Sequence, residues 1–161
     1  MKSLLLAASL VAPMSWAQTT FHNPQGTTCR SLIQSHSPLP AYPDSVEAFI
    51  ETDRLFLIKE TQNSEIRVYR KSDWRRLDQD VQVVSIGTEM VQIPIVLEPK
   101  ARGVGYGTEA KTALIQWAFE VLGATRIRDR IYDSNAESLE LHRKLGYQFH
   151  CVATGGGFYD L

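Results

Sequence analysis

The sequence predicts an α/β fold in which a central sheet is flanked by helices, and three observations indicate it. A period-two strand pattern runs through residues 91–97, a loop with three glycines follows at residues 103–107, and a helical pattern begins directly after that loop. A second strand and a second helix repeat this order before the end of the chain. Such an order predicts a right-handed crossover between neighbouring parallel strands.

The amino terminus is typical of a secretory leader. A lysine at position 2 precedes a short apolar core, and Ser15-Trp16-Ala17 forms a small-x-small cleavage site before Gln18. The apolar core is too short to span a membrane. Residues 1–17 are therefore predicted to be a signal-peptide-like leader, and the proline-containing residues 18–44 a linker. The folded domain is predicted to cover residues 45–161.

Three segments in the first part of this domain carry strand patterns. Residues 66–69 and 81–86 are short runs rich in β-branched side chains. In residues 91–97 apolar side chains recur at every second position, which places one set on a single face of a sheet. That set comprises Val91, Ile93, Ile95 and Leu97.

The loop after residues 91–97 has the composition of an anion site. Glycines allow successive backbone N–H groups to turn toward one point, and the following helix adds the positive end of its dipole. A dinucleotide fingerprint needs a glycine where Thr108 stands, and a phosphate-binding NTPase loop needs a Gly-Lys-Ser/Thr ending that is missing. An ordinary turn would need one glycine rather than three. The predicted anion-binding residues are Arg102, Gly103, Val104, Gly105, Tyr106, Gly107 and Thr108, although Arg102 and Tyr106 could simply flank the loop.

Two helices and one strand are predicted after the loop. Thr108 can cap the first helix and Gly123 can supply its left-handed stop. Residues 126–132 alternate isoleucines with arginines, as expected of a strand with one solvated face. Asn135 is a preferred cap for a second helix that ends at Gly146. The helical spacing of the first helix is carried by Ala110, Ala113, Leu114, Trp117, Ala118 and Val121.

Two motifs in register resemble the GNAT superfamily of acyl-CoA N-acyltransferases. Arg102, Gly105 and Gly107 are similar to the R-x-x-G-x-G of its pyrophosphate loop. Asn135, 33 positions after Arg102, opens Asn-Ala-Glu-Ser, and the Leu-Gly-Tyr that follows resembles the rest of the family's second segment. The runs Gly-Tyr-Gly-Thr-Glu-Ala and Trp-Ala-Phe-Glu look closest to the ribosomal-protein N-terminal acetyltransferase branch. The match covers residues from about 90 to 150.

The resemblance implies a mixed central sheet, acetyl-CoA as cosubstrate, and its pyrophosphate on the glycine loop. Asn135 would bond the pantetheine arm as well as cap its helix. Residues 51–58 resemble the opening strand of the family, but residues 59–90 are too few for the helices and strands that relatives place there. The acceptor-side helices are therefore predicted to be reduced. The last strand of the family is expected to be missing after residues 149–153.

Acetyl transfer to an amine needs a base for the ammonium proton and an acid for the departing thiolate. Relatives of this branch often carry an acidic residue where this chain has Gln92, and an amide cannot act as a base. Glu89 is the nearest carboxylate and the candidate base, with a surface role as the alternative. His142 stands where many members have tyrosine, and Ser138 is the second candidate acid. A histidine packed beside leucines is an equally good interpretation of His142.

Composition excludes several other classes of protein. With 17 basic and 18 acidic residues the net charge is −1, which gives no electrostatic footprint for nucleic acid. Cys29 and Cys151 form no metal-binding pattern, and the four histidines are scattered, so no metal is predicted. The two cysteines are either free thiols or, in an exported chain, a pair.

The sequence therefore predicts an N-acetyltransferase that moves an acetyl group from acetyl-CoA to a primary amine, either a protein N-terminus or a small amine. One alternative is a non-catalytic acyl-CoA-binding remnant, which Gln92 and the shortened acceptor half suggest. Another is a small exported protein that reuses the fold, which the leader suggests. Localisation stays open, because the leader predicts export while dependence on acetyl-CoA favours the cytoplasm.

Overall fold

The computed structural model describes residues 19–23 and 46–161. The predicted leader, most of the predicted linker and Cys29 lie outside these residues. The helices are α1 (Tyr106–Glu120) and α2 (Ala136–Lys144), and a 3-10 turn covers Pro99–Ala101. The strands are β1 (Thr20–His22), β2 (Val46–Glu51), β3 (Leu55–Glu60), β4 (Ile66–Arg70), β5 (Asp78–Val81), β6 (Val84–Gly87), β7 (Met90–Gln92), β8 (Ile95–Leu97), β9 (Arg126–Tyr132), β10 (Gln148–Ala153) and β11 (Gly156–Asp160).

The strands form two large sheets and one ribbon. The first sheet is antiparallel, in the order β1-β2-β3-β4. The second has the order β10-β11-β9-β7-β6, and only β7 and β9 in it are parallel. Strands β5 and β8 pair with each other. The predicted α/β fold with a mixed central sheet is confirmed, and α1 is the predicted connection between two parallel strands.

The predicted strand of residues 91–97 is two strands rather than one. Pro94 has no backbone N–H and cannot continue a ladder, so the pairing changes there. Before it, β7 pairs with β6 and β9, and after it, β8 pairs with β5. The pairing of β7 with β9 ends at Val91↔Ile127, beyond which the chain leaves β9. We call the opening between β8 and β9 the fork.

Helix α1 joins both large sheets to one core. Its buried residues include five of the six predicted ones, while Val121 is 56% exposed because it follows the helix end. Lys111 and Gln116 are buried as well, so α1 is covered on more than one face. Gly105, with a φ of 89°, is the N-cap in place of the predicted Thr108, and Gly123, with a φ of 73°, follows the helix as predicted.

The first sheet begins earlier than the sequence predicts. Strand β1 lies within the predicted linker and pairs with β2, and His22 Nε2 lies 2.7 Å from Glu51 Oε1. The predicted opening strand of residues 51–58 is interrupted, because Glu51 ends β2 and a turn precedes Leu55. The Thr52 N–H donates to the Leu55 carbonyl across that turn at 3.0 Å.

Strands fill the segment in which relatives were expected to have helices. Between β3 and β8 the described chain contains no α-helix, which agrees with the predicted reduction of the acceptor-side helices. Predicted residues 66–69 are confirmed as β4. Predicted residues 81–86 are divided between β5 and β6. Among the described residues no helix is long and apolar enough to cross a bilayer.

The expected absence of the last strand is wrong. Strand β11 forms at Gly156–Asp160 and lies between β10 and β9. In the sequence, the glycines of β11 favour a loop. In the structure they are needed because the neighbouring strands approach closely. A Cβ at Gly156 would lie 2.0 Å from the Ile131 carbonyl oxygen, and one at Gly157 would lie 2.8 Å from the Phe149 ring.

Candidate functional site

The glycine loop connects β8 and the 3-10 turn to α1. Gly103 and Gly105 have φ values of 82° and 89°, so the backbone itself requires glycine at both positions. Gly107 differs, because it lies in the first turn of α1 and a Cβ there would meet only Leu97 Cδ1, at 3.9 Å. The fold therefore leaves room for a Cβ at position 107. A ligand that touches the backbone would account for the glycine.

The first turn of α1 offers the donors for an anion. The leading N–H groups of a helix have no partner within the helix, and the helix dipole adds positive charge there. Gly105 caps the helix through its backbone alone, without a side-chain cap. Arg102 is exposed beside the loop, with its Nε donating to the Leu97 carbonyl at 3.0 Å. Loop and helix start thus place all seven predicted anion-binding residues in one continuous segment.

Arg54 braces this loop and was missed by the sequence analysis. Its N–H and Nε donate to the two carboxylate oxygens of Glu109, each at 2.9 Å. Its Nη1 donates to the Val104 carbonyl at 3.0 Å, and its guanidinium lies 4.4 Å from the centre of the Tyr106 ring. Arg54 belongs to residues 51–58, which resemble the opening strand of the family, so the sequence indicated that this segment is part of the domain. The sequence gave no indication that Arg54 supports a loop 50 positions further along the chain.

Asn135 lies at the carboxyl end of β9, on the side of the fork where the glycine loop follows β8. Its Oδ1 accepts a hydrogen bond from the Ser138 N–H at 3.0 Å, which confirms the predicted cap of α2. Its amide NH2 takes no part in that bond. The structure thus shows Asn135 as a cap, and its part in binding the pantetheine arm stays a prediction.

Four polar side chains form a buried cluster between α1, β9, α2 and the segment after α2. Lys111 Nζ lies 2.8 Å from Asp129 Oδ2 and also donates to the Ile93 carbonyl. The Ile93 N–H donates to Asp129 Oδ1 at 2.9 Å. The ring of Tyr147 packs edge-on against His142, with 4.7 Å between ring centres. We call Lys111, Asp129, His142 and Tyr147 the buried cluster.

The electrostatics of this cluster favour the ionised form of Asp129. Burial would raise the pKa of Asp129, but His142 and Lys111 outweigh it and lower that pKa to about 2. Burial lowers the pKa of Lys111, and Asp129 offsets part of that effect. Burial and the charge of Asp129 raise the pKa of Tyr147. The carboxylate is therefore ionised, and the tyrosine hydroxyl keeps its proton.

The two candidate acids lie together on α2. His142 Nδ1 donates to the Ser138 carbonyl at 2.7 Å and lies 3.3 Å from Ser138 Oγ. His142 is only 7% exposed, and its Nε2 lies 3.6 Å from Asp129 Oδ2. Both ring nitrogens thus face groups of the protein. Ser138 is half-buried and is the more accessible of the two.

Glu89, the candidate base, lies at the other end of the sheet. It occupies the turn between β6 and β7 with a φ of 55°, and its carbonyl accepts from the Thr125 N–H at 2.8 Å, where β9 begins. The glycine loop is at the opposite, carboxyl end of these parallel strands. The structure does not bring Glu89 to the loop, because the hairpin that holds it turns away from the fork.

The comparison with protein families decides the class of this fold. Residues 17–148 match the acetyltransferase (GNAT) domain. The chain belongs to the GNAT acetyltransferase family. The match includes β1 and all elements through α2, so the first sheet is part of the GNAT domain.

Individual relatives agree with this assignment. Human alpha/beta-tubulin-N-acetyltransferase 9 is 34% identical over 67 residues, which cover 42% of this chain and 31% of that protein. The chain thus spans less than a third of that relative's length. A GNAT acetyltransferase from Bacillus anthracis has a TM-score of 0.55 at 19% identity, over 61% of this chain and 65% of that one. Campylobacter jejuni N-acetyltransferase PseH in complex with acetyl coenzyme A has a TM-score of 0.52 at 19% identity, over 62% and 69%.

Proposed function

We propose that this GNAT domain is an N-acetyltransferase that moves an acetyl group from acetyl-CoA to a primary amine. The observation that carries the proposal is the glycine at position 107, where the described structure has room for a Cβ that an approaching pyrophosphate would meet. The similarity to a GNAT protein crystallised with acetyl coenzyme A supports the choice of cosubstrate. The pyrophosphate would accept from the backbone N–H groups of residues 103–108, beside the positive charges of Arg54 and Arg102.

The reaction forms one bond and breaks another. The amine nitrogen attacks the thioester carbonyl, the C–N bond forms, and the C–S bond breaks as the thiolate leaves. The proton lost by the ammonium goes to a base, and the thiolate receives one from an acid. Ser138 is the candidate donor that the geometry favours, because His142 is enclosed. Gln92 cannot accept the ammonium proton, so we expect slow turnover.

A polypeptide N-terminus is the acceptor that we favour. The described segment between β3 and β8 has strands and no α-helix, so this segment contributes no helix that would enclose a small amine. The human relative's name describes action on tubulin, which is a protein. A small amine is the second acceptor to be tested.

The cosubstrate site is tested by Gly107→Val, with Gly107→Ala as the smaller step. A Cβ there would meet only Leu97 Cδ1, at 3.9 Å, and the added side chain would stand between the backbone and a phosphate. We expect acetyl-CoA affinity to fall by about tenfold, or about 1.4 kcal/mol, in calorimetry. Gly105 is a poorer choice because its φ of 89° strains any other residue. Gly87→Ala, at the far end of β6, is the control, and an unchanged affinity in a folded Gly107→Val protein would reject the site.

Catalysis is tested by thiol release from acetyl-CoA with a panel of peptides and polyamines. Gln92→Glu should raise the rate, because a carboxylate can take the proton that an amide cannot. Ser138→Ala should lower the rate without weakening acetyl-CoA binding, as expected of a group that acts in the transition state. Binding without turnover, even in the Gln92→Glu protein, would favour the non-catalytic acyl-CoA-binding remnant.

A further inference from the structure

The two faces of β9 differ in what covers them. Asp129 lies beside Lys111 of α1 and His142 of α2, so both α-helices of the described chain pack on its side of the sheet. Successive side chains of a strand point to opposite faces, so the three arginines of β9 point away from these helices. Within the described chain no α-helix covers that second face. We call Arg126, Arg128 and Arg130 the arginine row.

The arginine row carries more positive charge than its neighbours neutralise. Asp160 of β11 lies opposite Arg128, and the Nε–Oδ1 distance is 2.7 Å. Arg126 Nε is 3.9 Å from the same carboxylate, and its side chain is 56% exposed. In the part of the chain that the structure describes, no carboxylate pairs with Arg130, whose Nη2 donates to the Thr154 carbonyl at 2.6 Å. Three positive charges less the one of Asp160 leave the row with two.

This excess does not follow from the composition of the chain. The whole sequence has a net charge of −1, yet two unneutralised guanidinium groups stand on one strand face. Like charges on one face repel each other, and water is the only other partner for exposed arginines. An acidic partner would replace this repulsion by attraction.

The spacing of the row fits an extended polypeptide. Alternate residues on one strand face are about 6.6 Å apart, and alternate side chains of an extended peptide recur at the same interval. Carboxylates on one side of such a peptide would therefore meet Arg126 and Arg130 in register. Nucleic acid fits less well, because two unneutralised charges release few counterions and give little affinity at physiological salt.

The row leads to the end of the sheet that holds the glycine loop. Tyr132 extends it toward the carboxyl end of β9 and is 52% exposed. The guanidinium of Arg130 lies 4.9 Å from the centre of the Tyr132 ring, which holds the arginine side chain along the strand. Asn135 follows at the same end of β9.

We propose that the arginine row binds an acidic, extended segment of the polypeptide whose N-terminus is acetylated. This inference rests on the proposed function and adds the chemistry of the acceptor. The amine lies at the Tyr132 end of β9, and the acidic residues that follow it run back toward Arg126. Arg126 and Arg130 select the acceptor by charge and do not touch the reacting atoms.

The experiment compares two peptides in fluorescence anisotropy. They share length, free N-terminal residue and a carboxyl-terminal label, and they differ only in having glutamate or glutamine at alternate positions. Two exposed ion pairs should make the acidic peptide bind about fivefold more tightly. At a salt concentration of about 1 M, where the Debye length is about 3 Å, this preference should vanish.

A pair of double variants tests the residues. Arg126→Gln, Arg130→Gln should abolish the preference for the acidic peptide. The matched control, Arg75→Gln, Arg143→Gln, removes two exposed arginines elsewhere and should keep it. Equal binding of the two peptides to the unchanged protein, or a preference that survives in the folded Arg126→Gln, Arg130→Gln protein, would overturn the inference. Tighter binding of a labelled single-stranded RNA than of the acidic peptide would overturn it as well.

Thiol release from acetyl-CoA with the same peptides separates this inference from the proposed function. A lower KM for the acidic peptide at the same kcat is the expected result. Equal KM values for the two peptides would overturn the inference and leave the proposed function standing. No transfer to either peptide, in the Gln92→Glu protein as well, would overturn both.

Discussion

At the scale of single residues, Asp129 joins three parts of the fold, since it contacts the Ile93 peptide, Lys111 of α1 and His142 of α2. It lies on β9, accepts the Ile93 N–H and neutralises Lys111 on α1. Its depressed pKa means that its carboxylate is more stable in the folded protein than in the unfolded chain. The contribution of Asp129 to stability is therefore present above the ordinary aspartate pKa, near pH 4, and is lost as the pH falls toward about 2.

Asp129→Asn should reveal this contribution in acid. At pH 5 the variant should be less stable than the unchanged protein, because Lys111 loses its counter-ion. Between about pH 4 and pH 2 the gap should shrink by about 2 kcal/mol, since only the unchanged protein must protonate Asp129. Urea unfolding at pH 5, 3 and 2 measures the gap. A gap that stays constant over this range would show that the carboxylate is not stabilised in the fold.

Arg54 is the second residue whose removal should have a specific effect. Arg54→Met loses the bonds to Val104 and Glu109 and the contact with Tyr106, so the loop is less well held. We expect acetyl-CoA affinity to fall several-fold. Arg54→Lys should behave similarly, because an ammonium cannot form the bidentate and stacked contacts of a guanidinium.

Calorimetry with acetyl-CoA distinguishes the outcomes. The exposed Arg75 provides the control, and Arg75→Met should bind as the unchanged protein does. Full affinity in Arg54→Lys would mean that positive charge alone, rather than bracing of the loop, is what the site requires.

At the scale of elements, local patterns were predictable and long-range pairings were not. The period-two pattern of residues 91–97 survives the break at Pro94, because Val91, Ile93 and Leu97 are all buried. The change of partner to β5 could not be predicted, since no local signal in β8 specifies its neighbour. The same limit applies to Lys111 and Asp129, whose pairing depends on the placement of α1 over β9.

Helix α2 allows the two roles of Asn135 to be separated. Asn135→Ser keeps a side-chain oxygen for the Ser138 N–H, whereas Asn135→Ala removes the cap and should cost about 1 kcal/mol of unfolding free energy. Both variants lack the amide NH2, so both should bind acetyl-CoA more weakly if that group bonds the pantetheine arm. Thermal unfolding and calorimetry on the same samples measure the two effects. Normal binding by the serine variant would restrict Asn135 to capping.

At the scale of the whole molecule, the two motifs predicted the family. They did not predict which strands form the edges of the sheets, such as β1. The glycine loop and the Asn135 segment lie in residues 102–147, and both were recognisable without the structure. Strand β1 was hidden in proline-containing sequence because three residues give too short a pattern. Its membership of the first sheet depends on pairing with β2, including Phe21↔Ile50.

The leader makes a prediction about the mature chain. If the leader directs export, its cleavage after Ala17 would leave Gln18 as the first residue, two positions before β1. The mass of the amino-terminal peptide from the native source measures this. A peptide that starts at Gln18 supports export, whereas an intact leader would agree with the cytoplasmic location that dependence on acetyl-CoA favours.

The position of β11 also has a consequence for biosynthesis. This strand lies between β10 and β9, and Leu161 exchanges two backbone hydrogen bonds with Ile127, at 2.8 and 2.9 Å. A ribosome therefore delivers an inner strand of the second sheet after every other described element. Until residue 160 has left the exit tunnel, β11 cannot pair with β9 and β10, and the edges of these two strands that face β11 stay unpaired. During that interval the unpaired edges of β9 and β10 are open to pairing with other chains.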